Sequence, residues 1–281
     1  MKLGAVVRNM GPESTREILL ACARAAERAG LDDVWVVDHV AIPPDDAEGS
    51  GGRYLDPLAT LAFLAAATEQ IGLGTAVLIL PYRPALPTAK WIASVQELSG
   101  GRLRVGVGVG WMPAEFRALG VDRKRRGALA DESLGLLRRC FDSGEAGDVV
   151  DANGQKFLFR PRPPRPPIFV GGASPQALAR AVRFGDGWMP MGVDPEKLRA
   201  PIGELRRLAA ENGRPEPEVV AMGRLPLAEP ARAAEQLATL SQIGVTRLIH
   251  AERYPNAGEF QRIAEQLAML PRDQGRGVFS R

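Results

Sequence analysis

Two short stretches carry residue types that could do chemistry. The first is Asp38–His39, directly after the apolar run Val34–Val37. An imidazole can pass a proton in either direction near neutral pH, and a carboxylate beside it can orient the ring or meet a ligand. The competing reading is a polar pair that opens a solvated loop. The second stretch is Gly171–Gly172–Ala173–Ser174, between the apolar run Ile168–Phe169–Val170 and a helix. Ser174 is a good N-cap and Pro175 a good first helical residue. A glycine pair lets backbone approach a ligand closely, and the free N–H groups of a helix N-terminus attract anions. The turn is therefore a candidate phosphate grip. A bare glycine pair equally describes a tight strand-to-helix connection.

Other polar or aromatic residues close apolar runs: Arg8 and Asn9, Tyr82, Trp111, Trp188, Arg224, and His250 with Glu252. Trp111 and Trp188 could stack on an aromatic ring or simply pack. His250 reads equally as a polar cap on the last strand. Several chemistries are poorly served. A Schiff-base enzyme needs a lysine at a strand end, and Lys2, Lys90, Lys124, Lys156 and Lys197 are not so placed. A metal centre needs clustered ligands, and the chain has two histidines, so no metal is expected. No GxSxG elbow occurs. With so little acid–base equipment, the reactive chemistry falls to an organic cofactor that the protein binds and orients. His39 is then the catalytic candidate.

These residues must be held by the elements around them. The chain of 281 residues is 45% hydrophobic and 25% charged, with a net charge of +3. That suits one globular domain over the whole length, and the spread-out surplus does not argue for nucleic acid. Cys22 and Cys140 sit in helical patterns without metal-ligand spacing and read as buried thiols. No apolar run approaches the ~20 residues of a membrane span. No basic-then-apolar leader precedes the first strand, so a cytoplasmic location is expected.

Apolar runs near residues 3, 34, 73, 103, 168, 187, 219 and 247 are each followed by a helical pattern. Such alternation predicts parallel strands, and eight units favour a closed (β/α)8 TIM barrel over an open doubly wound sheet. No strand is followed by a GxGxxG fingerprint. Ser14 with Glu17 reads as a capping box for the first helix. The rhythm breaks over 143–166, where Asn153–Gly154 between two apolar pairs signals an inserted β-hairpin. That places the hairpin between barrel strands 4 and 5. The tail after Pro271 is polar and expected to fray. Gly106, Gly108 and Gly110 share one strand face and leave it bare, either for a bulky ligand or for tight packing.

Four blocks, GLDDVWVVDHVAIPP, IGLGTAVLILPYRPA, LSGGRLRVGVGVGWMPAEF and PPIFVGGASPQALARAVRFGDGWMP, occur in order from Met1 to about residue 195. Together they resemble the luciferase-like monooxygenase superfamily, and within it the actinobacterial branch that uses the deazaflavin coenzyme F420. The resemblance implies a TIM barrel with a flavin-like cofactor at its C-terminal rim. It implies a phosphate on Gly171–Ser174, helped by the loop preceding Trp188. It implies a bulge with a non-proline cis peptide at Ala76–Val77 behind the ring, and cofactor-facing residues near Gly108–Trp111. Asp38 and His39 become cofactor contacts, His39 also the acid/base. F420 is the expected cofactor and a small organic molecule the hydride partner. FMN, with monooxygenation and a separate reductase, is the alternative. A non-catalytic cofactor-binding protein is a third reading. Homodimers are common among relatives.

Overall fold

The computed structural model describes residues 1–142 and 147–271. The first residues of the expected insertion, 143–146, and the polar tail, 272–281, lie outside them. The elements run β1 (Lys2–Val6), α1 (Arg16–Arg28), β2 (Asp33–Val36), α2 (Pro57–Ala65), β3 (Gly72–Ile79), α3 (Ala85–Leu98) and β4 (Leu103–Gly108). A short α4 (Pro113–Ala118) and α5 (Arg126–Phe141) precede a hairpin of β5 (Val149–Ala152) and β6 (Gln155–Leu158). The barrel resumes with β7 (Ile168–Gly171), α6 (Pro175–Phe184), β8 (Gly187–Met189), α7 (Pro195–Glu211), β9 (Glu218–Gly223), α8 (Pro230–Ile243), β10 (Arg247–His250) and α9 (Ala257–Met269).

Eight of the strands close into a parallel barrel in the order β1-β2-β3-β4-β7-β8-β9-β10, and β1 pairs β10 to complete the ring. The fold is a (β/α)8 TIM barrel, with the hairpin between its fourth and fifth strands. Asn153 and Gly154 both take positive φ, 53° and 76°, as a two-residue hairpin turn requires. The helices begin where cap chemistry places them. Asp56, Asp194 and Ser174 each accept first-turn amides. One cap differs from the sequence reading. Thr15, not Ser14, caps α1 by accepting from the Ile18 amide, because Ser14 Oγ donates to the Gly11 carbonyl and accepts from Arg53.

Alternation along the strands sorts side chains between two cores. One lies between sheet and helices and includes Trp188 with Val182 and Ile202. The other fills the barrel lumen: Val6, Trp35, Ala76, Phe169, Met189 and Met222. At the N-terminal end the lumen is closed by ionic groups. Arg247, 1% exposed, pairs with Asp33, which is fully buried and also takes the Trp35 indole N–H. Arg104 Nε approaches the same carboxylate at 3.8 Å. Burial pushes the Arg247 guanidinium down to about 10. Trp35 fits only because Gly74 stands beside it; a Cβ there would run into the indole.

Candidate functional site

At the opposite end, where β-strands run into loops, a cavity of about 410 Å³ opens over the lumen. In a barrel of this kind that is the face where loop residues do chemistry. Its floor is Ala76, Val77, Gly108 and the β7 end, Gly171–Gly172. Met189, Met191 and Met222 make one wall, and Asp38, His39 and Trp111 stand on another.

The floor follows from β3. The pairing of β3 with β4 slips between Thr75 and Leu78, and the Ala76–Val77 peptide is cis. The slip turns Val77 onto β4 and β7. A Cβ added at Gly108 would sit 2.5 Å from Val77 Cγ2, and one at Gly171 3.0 Å from Cγ1. Gly106 would meet the Thr75 carbonyl and Met189, and Gly110 would meet Ile79 and Phe116. Tight packing accounts for Gly106, while Gly108 and Gly110 pack against Val77 and Ile79 and also line the cavity.

His39 does not use Asp38. Its Nδ1 lies 2.7 Å from Oε2 of Glu115, a side chain of α4 with no exposed surface. The same Glu115 accepts the amides of Val40 (2.7 Å) and Ala41 (3.0 Å) and the Tyr82 hydroxyl (2.9 Å). Burial works to raise the Glu115 carboxyl, but the two amides and the His39 ring outweigh it and hold the group below its ordinary value. An ionised Glu115 accepts from Nδ1–H, which fixes the tautomer. Nε2 then has no partner among the described residues. The ring is packed edge-on against Tyr54 and Trp111, with centroids at 5.0 and 6.2 Å.

Asp38 has a different job. Arg83 grips it with two bonds, 2.6 and 2.9 Å, and the Ile79 amide donates to it at 2.8 Å. Arg83 also reaches Asp56, the N-cap of α2, at 2.9 Å. Burial pushes the Asp38 carboxyl up, while the guanidinium pulls it down; Arg83 itself is raised by this pairing against its own burial. Asp38 thus ties β2, β3 and α2 together just behind the floor. Asn9, fully buried, does the same on the other side. Its Nδ2 donates to the carbonyls of Val37 and Leu55, and its Oδ1 accepts the Val37 amide.

The β7–α6 turn reaches the cavity with Gly171 and Gly172. Gly172 has φ +121°, a conformation that side chains rarely adopt. Ser174 Oγ accepts the Ala177 amide at 3.2 Å. Among the described residues the amides of Ala173 and Ser174 have no acceptor, so they fit an anion. Trp188 is not a cavity wall. It is 2% exposed in the core outside the barrel, and its indole N–H donates to the Gly172 carbonyl at 2.6 Å. Its part is to hold the turn. His250 is likewise internal: Nδ1 accepts the Leu225 amide and Nε2 meets Glu252 at 3.0 Å.

The site residues that sequence reasoning did not single out are Glu115, Arg83 and the methionine wall. Glu115 left one weak signal: a carboxylate beside Phe116 in a helix of six residues, where its neighbour is fully buried. Among the described residues no group of three or more His, Cys, Asp and Glu could hold a metal, and no helix is long and apolar enough to cross a membrane.

The geometry can be set beside known proteins. The family model for luciferase-like monooxygenases matches residues 4–281. An uncharacterized protein of Mycobacterium tuberculosis is 33% identical over 213 residues, covering 69% of this chain and 72% of the relative. An FMNH(2)-dependent dimethylsulfone monooxygenase of Pseudomonas putida is 33% identical over 201 residues, covering 68% of this chain and 53% of that protein. In structure, an F420-dependent secondary alcohol dehydrogenase in complex with an F420-acetone adduct superimposes with a TM-score of 0.77 at 16% identity, over 96% of this chain and 98% of that one. The chain belongs to the luciferase-like monooxygenase family, oxidoreductases among which some depend on F420 and others on reduced FMN.

Proposed function

We propose that this chain is an F420-dependent oxidoreductase that exchanges a hydride between the deazaflavin and a small organic substrate. The observation that carries it is the His39–Glu115 bond, which leaves one imidazole nitrogen, Nε2, free at the cavity. The fit of the cofactor rests on two features of the chain. The Ala76–Val77 floor, with Gly108 flush against it, offers a flat apolar seat for a tricyclic ring. The uncapped amides of Ala173 and Ser174 would hold its phosphate, with Trp188 fixing the turn through the Gly172 carbonyl. When bound, the cofactor supplies the hydride acceptor or donor.

The chain's own residues handle the proton. His39 Nε2 takes the proton of a substrate hydroxyl, or returns one to a carbonyl oxygen. Glu115, ionised, stabilises the imidazolium that forms and keeps the ring in place. Asp38 acts at one remove, by bracing the strand ends on which His39 and the floor sit.

The second reading is an FMN-dependent monooxygenase served by a separate reductase, and the dimethylsulfone monooxygenase relative favours it. Titration of the purified protein with F420 and with FMN separates the two. F420 is expected to bind at least about tenfold tighter, a difference of 1.4 kcal/mol. The reverse order moves the assignment to FMN, and tight binding without turnover over a broad substrate panel favours a cofactor carrier.

A further inference from the structure

Among the described residues that line it, the cavity offers a ligand one proton-handling nitrogen and no lysine or arginine. Among its lining residues the ionisable side chains are Asp38 and His39. Asp38 is held by Arg83 and by the Ile79 amide, and His39 by Glu115. Of the arginines on neighbouring elements, Arg83 is paired with Asp38 and Asp56, and Arg224 with Glu252. A carboxylate or phosphate on a substrate would lose its water here and meet no counter-charge, which is unfavourable unless an ion is paired.

What the cavity does offer is apolar and deformable surface. Trp111, on the loop after β4, is 63% exposed, and Met191, after β8, is 72% exposed, yet both line the cavity. They stand on either side of the β7 turn, since β4, β7 and β8 are neighbours in the barrel. Large apolar side chains kept in water beside a concave site mark a ligand contact. Behind Met191 stand Met189 and Met222, unbranched side chains that adapt to different shapes. Trp111 also lies beside the His39 ring, with centroids 6.2 Å apart, so a molecule held against it sits next to the candidate base.

We propose that the substrate is an uncharged, mainly apolar alcohol or carbonyl compound, and that Trp111 and Met191 set its selection. This rests on the oxidoreductase reading of the same cavity. The test uses a matched pair of probes, cyclohexanone and 4-oxocyclohexanecarboxylate, titrated calorimetrically into protein saturated with whichever of F420 and FMN binds. The neutral ketone is expected to bind about 100-fold tighter than the carboxylate. Trp111→Ala should raise the Kd of the ketone about tenfold more than that of the cofactor. Met191→Lys, at a water-exposed position, should narrow or reverse the preference by supplying the missing cation. Equal affinities, tighter binding of the carboxylate, or binding of neither probe overturns the inference. Failure of both cofactors to bind instead overturns the functional reading on which it stands.

Discussion

The two ends of the barrel both bury carboxylates, and they use them in opposite ways. At the N-terminal end Asp33 is surrounded by donors with fixed positions, Arg247 and the Trp35 indole, with Arg104 close by. The charges of that cluster are turned inward on one another. At the C-terminal end Glu115 is equally buried, yet one of its partners is a ring whose other nitrogen stays free at a cavity. Satisfied charges close a structure. A satisfied charge that holds a half-satisfied base makes a candidate site.

If this contrast is correct, breaking one end should not look like breaking the other. The largest effect is expected at His39. His39→Ala should cut turnover by about 10²–10⁴-fold while leaving thermal stability close to that of the parent, because the ring is at the cavity edge; unchanged turnover removes it from the chemistry. Asp33→Ala should do the converse. It strands Arg247 in the core and should cost about 3–5 kcal/mol of stability, read as a fall in urea midpoint, with cofactor affinity per folded molecule retained. Asp33→Leu combined with Arg247→Met should recover much of that loss.

Glu115→Gln sharpens the contrast, since it touches both roles. Losing the anion should lower turnover about tenfold or more and displace the pH–rate profile, beyond a stability loss of about 1–3 kcal/mol. A purely structural Glu115 would lower stability and leave the profile where it was. Gly172→Val should weaken cofactor binding about tenfold by forcing a side chain onto a backbone with φ +121°; unaltered affinity would move the phosphate elsewhere.

The smallest effect is a pH slope at His250. Burial lowers its pKa from the ordinary 6.5, against the pull of Glu252. The unfolded chain therefore takes up this proton first. Stability should be level above about pH 6.5 and should fall as the pH drops from there through the folded value. His250→Gln should flatten that part of a stability-against-pH curve; an unchanged slope would assign the acid sensitivity to other groups.

Local chemistry made the fold legible. The hairpin turn at Asn153–Gly154, the caps at Asp56 and Ser174 and the alternating apolar runs are each decided within a few residues. The misplaced cap of α1 shows the limit of that reading. Ser14 has the right side chain, but Arg53, 39 positions away, had already claimed it. In the candidate site, His39 stood out in the sequence because its residue type speaks alone. Its orienting partner is 76 positions off in a helix of six residues, and the partner of Asp38 is 45 positions off. Barrel closure makes those meetings, and no spacing along the chain announces them. Trp188 misled for a related reason: strand alternation, set by the register of β8 against β7, turns it away from the lumen and Met189 toward it.

Asn9 has a bearing on how firmly the imidazole is placed. Its amide acts as a surrogate peptide group, extending the β1–β2 ladder past the last true strand residue and clasping Leu55 at the far end of the long connection. That clasp anchors both ends of the segment bearing the imidazole. The candidate base is therefore held twice over, through its own backbone segment and through the Glu115 carboxylate.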